Sequence, residues 1–219
     1  MTKVLLTLAF EGDRDAFEQA LLQACSTFVA RAGAKRAAID VRAGGEEHDR
    51  MAAVDTERQA SAVVSLWEPV SVEAALRFRA PDGGRLVGAY RVDEVVQRPY
   101  DWSSAGAITP GVKMVCFVRR RPDLSHEAYS RHWRERHGPL AVARQPGFWH
   151  YVQNHVVERL TDTTPDFDGI GEIHCRSADD ALQRSFDSEE GRRLIYEDTE
   201  RFMSHERSTV LVAVEHVVA

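Results

Sequence analysis

Val4 to Phe10 is an apolar run rich in strand formers, and it predicts a first strand. Asp13 then offers a helix N-cap, with Phe17, Leu21, Ala24 and Phe28 recurring at helical spacing until Gly33 stops the helix. Arg36 to Val41 and Ala62 to Trp67 read as strands. The polar stretch between them, from Ala43 to Gln59, is too long for a tight hairpin and is expected to be partly helical. Ser71 caps a short helix through Leu76, Pro81-Asp82-Gly83-Gly84 is a turn, and Leu86 to Val96 forms a last strand. The order is βαββαβ.

Periodicity is lost from about residue 97, where Pro, Gly and Ser collect, and then the same order begins again. Val112 to Arg119 is a strand, and Asp123-Leu124-Ser125 leads into a helix with an inner stripe of Tyr129, Trp133 and His137, which Gly138-Pro139 should stop. Phe148 to Val157 and Asp168 to Cys175 are strands, Ser177 caps a helix through Phe186, and Thr209 to Val218 closes the chain. Between Ser188 and Ser208 lies an extra, helical insertion. The copies align: Phe17, Leu21 and Cys25 fall on Tyr129, Trp133 and His137. We therefore expect two α+β units of ferredoxin-like order, at 1–98 and 112–219, joined by a linker at 99–111.

Strands apolar on both faces, such as Val63-Val64 and Val210-Leu211-Val212, need a second partner beyond their helices. Each such side chain gains roughly 1.5–3 kcal/mol on burial. The economical solution is for the two sheets to face each other as a closed intramolecular barrel with helices outside.

Composition narrows the function. With 219 residues, 43% hydrophobic and a net charge of -6, the chain is of ordinary globular type and a poor candidate for nucleic acid. The compact basic run Arg119-Arg120-Arg121 sits at a strand end and reads as a solvated turn. Cys25, Cys116 and Cys175 are odd in number and widely spaced, which suits reduced core thiols in a cytoplasmic protein. MTKVLLTLAF is followed by Glu11-Gly12-Asp13 without a cleavage pattern, so a strand fits better than a signal core, and no stretch has the length of a membrane span.

The second unit carries CFVRRRPDLSHEAYSRHWRERHGPLA, FWHYVQNHVVE and DFDGIGEIHCRSADDAL, with the combination H-G-P-L, Y-V-Q-N-H-V and D-G-I-x-E. Over about residues 112–218 it resembles the EthD family of the dimeric α/β-barrel superfamily; the first unit resembles that superfamily by element order alone and reads as a degenerate copy. The resemblance implies a small cofactor-independent protein of a catabolic cluster or of aromatic polyketide tailoring, where relatives act as decarboxylases or dehydratases. Barrel cousins include haem-handling enzymes and cofactor-free monooxygenases, so the fold transfers better than the reaction.

Candidate chemistry also concentrates in the second unit. His48 alone lies in the first half, against eight histidines in the second. His137, at an expected helix end where a barrel mouth would open, suits a general acid; the structural alternative is a terminal His bonding a backbone carbonyl. Along the next strand Trp149, Tyr151, Gln153 and His155 share one face, giving aromatic walls with a phenol and an imidazole for a planar substrate. Glu172 and His174 should point into the barrel, the carboxylate either salt-bridged or tuned as a base, with Arg119 or a histidine as partner. Phe202 and His205 suggest a lid, and Glu215 a structural ion pair, since Asp93 takes its place in the first copy. No nucleotide-binding or metal-protease motif is present, and no metal is expected.

The reading is a cofactor-independent lyase or isomerase acting on a small aromatic or cyclic oxygenated metabolite. His137, Tyr151, His155, Glu172 and His174 would carry the chemistry, with Trp133, Trp149, Phe202 and His205 binding substrate. The alternatives are a non-catalytic ligand-binding protein and a haem-dependent or other redox member of the superfamily. A homodimer of fused barrels is compatible with the sequence; a nucleic-acid or membrane partner is not expected.

Overall fold

The computed structural model describes residues 2–45, 60–100 and 106–219. Eight strands form one closed antiparallel barrel: β1 (Lys3–Phe10), β2 (Arg36–Arg42), β3 (Ala62–Trp67), β4 (Gly84–Arg98), β5 (Val112–Val118), β6 (His150–Arg159), β7 (Gly169–Cys175) and β8 (Thr209–Val217). The order around the barrel is β1-β3-β2-β8-β5-β7-β6-β4. Each unit thus contributes the strand sequence β4-β1-β3-β2 or its counterpart β8-β5-β7-β6. Edges join at two seams, β2–β8 from Ala38↔Val217 to Arg42↔Ala213 and β4–β6 from Tyr90↔Arg159 to Arg98↔Tyr151. Closure removes every exposed sheet edge, which is how the bare faces and the edges are both satisfied.

Strand alternation sorts the side chains. In the first unit Val4, Leu6 and Leu8 face outward onto α1 (Arg14–Ala32), packing on Phe17, Leu21, Cys25 and Val29. Asp13 caps that helix through Ala16 N, and Gly33 ends it at φ 60, a left-handed conformation glycine adopts without strain. Leu5, Val63, Tyr90, Phe117, Ile170 and Leu211 face inward and fill one end of the barrel. A short helix α2 (Val72–Ala75) completes this unit.

In the second unit the helical layer is α3 (His126–His132), a π-helical turn (Trp133–His137), α4 (Gly138–Arg144), α5 (Ala178–Gln183) and α6 (Glu189–Thr199). The helix expected to stop at Gly138-Pro139 instead continues to Arg144, so His137 lies mid-helix and no helix terminus acts on it. The cause is local. Pro139 has no N–H and its ring would crowd the preceding turn, and one widened turn, in which Gly138 N–H reaches Trp133 O, accommodates it without breaking the helix.

The expected insertion is α6, capped by Ser188. Residues 46–59 of the polar stretch and 101–105 of the linker lie outside the described residues. The arginine run lies at a partly solvated corner and carries ion pairs there: Arg119 pairs with Asp166 at 2.9 Å, Arg121 with Asp123 at 2.9 Å, and Arg120 with Asp168. The three cysteines are free thiols, each pushed up to about 12 by burial. Among the described residues no helix is long and apolar enough to cross a membrane.

Candidate active site

The predicted site residues separate into two groups on opposite sides of the sheet. Tyr151, Gln153 and His155 face outward beneath the helices, whereas Glu172 and His174 face the barrel interior. A His137–Glu172 acid–base pair is therefore ruled out, because the barrel wall stands between them.

The interior group is an ion-pair cluster. Lys113 Nζ lies 2.9 Å from Asp40, 2.8 Å from Glu172 and 2.6 Å from Glu215, while Lys3 Nζ lies 2.6 Å from Glu172 and 2.8 Å from Glu94. Asn154 donates a further bond to Glu172 at 2.7 Å. Burial alone would raise the Glu172 carboxyl, but the two ammonium groups outweigh it and hold it well below the carboxylate range. Glu172 is thus a locked anion and not a base, and its partners are the lysines rather than Arg119 or a histidine. Burial lowers His174 to about 4, against the hydrogen bond to Glu215, so its ring is neutral. Asp40 is raised to about 7 by burial, and Lys113 only partly offsets this. Glu215 is the structural ion pair expected of it, and Thr109 also donates to it at 2.7 Å.

The outer group gathers around the π turn. Two residues five apart on an α-helix point about 140° from each other, at 3.6 residues per turn. The widened turn brings His132 and His137 to the same side. His132 Nε2 then meets Asp198 Oδ1 at 2.9 Å, and His137 Nδ1 meets Asp198 Oδ2 at 3.0 Å. Burial would raise Asp198, but the hydrogen bonds and charge of both imidazoles win and keep it below its ordinary value. An ionised Asp198 accepts from both rings, which fixes His137 as the Nδ1–H tautomer and leaves Nε2 as its basic nitrogen. Phe202, 1% exposed, packs its ring 5.2 Å from His132 and 5.0 Å from His137.

These residues wall a cavity of about 190 Å³ between the outer sheet face and the helices, lined by Trp133, His137, Tyr151, Ile173, Phe202 and Met203, with His205 at the rim. Gly169 admits Trp133, since a Cβ there would collide with its ring and with the Tyr129 hydroxyl. Tyr151 Oη accepts from Trp133 Nε1 and from Gln153 Nε2, both at 3.0 Å, and burial raises its phenol so that it stays protonated. Phe202 is a fixed wall and not a lid, because Met203 beside it bridges to Arg120. His205 is exposed and donates from Nε2 to Thr199 at 3.0 Å.

Two expected members stand apart. His155 packs on the Trp133 ring at 4.8 Å, with Nδ1 2.6 Å from Ser130 Oγ, outside the cavity lining; burial and then the Arg134 charge lower it to about 4. Trp149 precedes β6, so the strand alternation does not carry it to Tyr151; its ring lies 4.3 Å from Tyr100 beside a different surface groove. Larger hollows exist, including one of about 460 Å³ at a barrel mouth lined by Thr7, Tyr90, Phe117, Arg119 and Asp166, and among the described residues no imidazole lines it. Among the described residues no cluster of three or more His, Cys, Asp or Glu side chains is arranged to hold a metal ion.

Sequence reasoning missed Asp198 and the two interior lysines. Asp198 falls on the inner stripe of α6 with Gly191 and Ile195, a carboxylate at an apolar register. Lys3 and Lys113 occupy matching places near the start of the first strand of each unit, a lysine where the pattern is otherwise apolar.

A closed barrel of two fused βαββαβ units is the dimeric α/β-barrel fold built within one chain. Residues 121–206, within the second unit, match the model of the EthD domain family. No curated protein matches the chain in sequence. Among solved structures, an anthrone oxidase-like protein is 14% identical with a TM-score of 0.59, covering 100% of this chain and 92% of its own. A chlorite dismutase mutant from Candidatus Nitrospira defluvii is 11% identical at a TM-score of 0.51, covering 98% and 90%. At these identities the likeness is one of fold.

Proposed function

We propose that the cavity under the π turn binds a small cyclic or aromatic oxygenated molecule and that His137 Nε2 removes an acidic C–H proton from it. The observation that carries this reading is the His137–Asp198 hydrogen bond at 3.0 Å, made by a buried imidazole, 10% exposed, that lines an apolar chamber. Asp198 orients the ring and stabilises the imidazolium formed when the proton arrives. The proton then returns to a different atom, giving isomerisation, or leaves with a hydroxyl as water, giving dehydration. Both outcomes are redox-neutral and draw on no cofactor. The chamber, about 190 Å³, takes one or two fused rings.

A second outcome shares the first step. In it the deprotonated carbon reacts with dioxygen, an outcome suggested only by the name of the anthrone oxidase-like neighbour. Exchange at the acidic carbon reports the common step whatever follows it. In deuterium oxide, without air, the protein should accelerate C–H exchange of 2-tetralone followed by NMR, and His137→Gln should lower the rate by about 10²–10⁴-fold. Exchange at the buffer rate, or unaltered in His137→Gln, overturns the assignment. Admitting air then shows whether oxygen is consumed.

A further inference from the structure

The hydrogen bonds around Tyr151 identify what the substrate must carry. Gln153 Nε2 donates to Trp133 O at 2.8 Å and to Tyr151 Oη at 3.0 Å. A backbone carbonyl can only accept, so the Gln153 amide has a single allowed orientation. Its Oε1 accepts from Gln97 Nε2 at 3.1 Å, and Gln97 is fixed in turn by donating to Arg134 O at 2.9 Å. Arg134 O is the carbonyl that the missing N–H of Pro139 leaves without its π-ladder partner. Gly138 keeps the path open, because a Cβ there would collide with the Gln97 side chain. A glycine inside a helix costs about 1 kcal/mol against alanine, and the Gln97 approach accounts for it.

The consequence falls on Tyr151. Trp133 Nε1–H and Gln153 Nε2–H both donate into its oxygen, which fills its acceptor positions. Its own hydrogen has no acceptor among the described residues, and the phenol is 3% exposed on the wall of the cavity that His137 also lines. We infer that Tyr151 is a forced hydrogen-bond donor aimed into the chamber, so that the ligand carries a carbonyl or phenolic oxygen on its ring edge. This rests on the chamber being the substrate site, and it deepens that reading by naming the substrate class: a cyclic enolisable ketone or a phenol. When a proton leaves the carbon beside the oxygen, the electron pair moves to that oxygen, and the Tyr151 hydrogen bond strengthens as the enolate charge grows. Gln153 and Gln97 are positioning residues that keep the phenol from accepting from the ligand.

Binding of 4-nitrophenol tests this separately from catalysis, because its absorbance reports both occupancy and ionisation. The expected result is that wild-type protein and His137→Gln both bind the probe, while Tyr151→Phe binds it about tenfold to a hundredfold more weakly and with a higher ionisation pKa in the bound probe. That fold-change corresponds to one hydrogen bond to a charged acceptor. Replacing Tyr151 by 3-fluorotyrosine, a more acidic donor that keeps the packing, should lower the bound probe's pKa below that in the wild type. Tyr151→Phe and the fluorinated protein both binding like wild type would overturn the donor assignment and leave the chamber standing. Absence of 4-nitrophenol binding to the wild type would overturn both.

Discussion

Asp198 decides the state of two histidines at once. His132 presents Nε2 to it and His137 presents Nδ1, so an ionised carboxylate demands opposite tautomers of the two rings. Asp198→Asn offers one acceptor where two donors need one, and the amide hydrogens repel the other ring's N–H. In ¹⁵N NMR spectra the wild type should show Nδ1–H on His137 and Nε2–H on His132, and Asp198→Asn should show mixed tautomers with proton exchange slowed by about 10²–10⁴-fold. Unchanged tautomers in the variant would show that another group orients His137. None of this was legible from residue types alone: His137 stood out by its H-G-P-L context, but Asp198 sits in a polar run and its inward register shows only once α6 is placed. Glu172 was placed on the correct face by alternation, yet its role was not legible, because its lysine partners lie on strands far apart in sequence, at positions 3 and 113.

At the scale of elements, the sequence rules for caps and strands worked where a single local force dominates. Asp13, Ser71 and Ser177, the expected caps, each accept a backbone N–H at the start of a helix, and Ser125 and Ser188, not among those expected, do the same. The helix bearing His137 failed the same logic. Gly138-Pro139 reads as a stop, and it becomes a π turn instead because Tyr129, Trp133 and Ala141, all buried, keep both flanking segments on the sheet. Tertiary packing outweighed the local signal, and that failure falls at the site, where it carries His132 and His137 onto one carboxylate. Trp149 failed for the opposite reason. Alternation extends one residue before β6; the Trp149 N–H still bonds His174 O at 2.7 Å, but its ring lies against Tyr100 and not beside Tyr151.

At the scale of the whole molecule, the barrel separates a charged interior end from an apolar one and places both out of reach of the proposed chemistry. Asp40 is the weak member of that interior, with its carboxyl raised from 3.8 to about 7 by burial. A raised carboxyl means that the folded state holds a proton the unfolded chain has released, so this group's contribution to stability declines as pH rises between those two values. Asp40→Asn removes that decline. Its melting temperature relative to wild type should rise from pH 5 to pH 8, by a difference worth at most about 2–3 kcal/mol. A difference independent of pH would show that the interior cluster shares its charge in another way.

The central claim is that the reaction chamber lies outside the barrel, between its second-unit wall and the π-turned helix. Diffraction from crystals soaked in 2-tetralone tests it directly. The ring should lie between Trp133 and Phe202, with its oxygen at Tyr151 and its acidic carbon at His137 Nε2. Density for the ketone at the barrel mouth beside Thr7, Tyr90 and Phe117, with the chamber under the helix left empty, would contradict it.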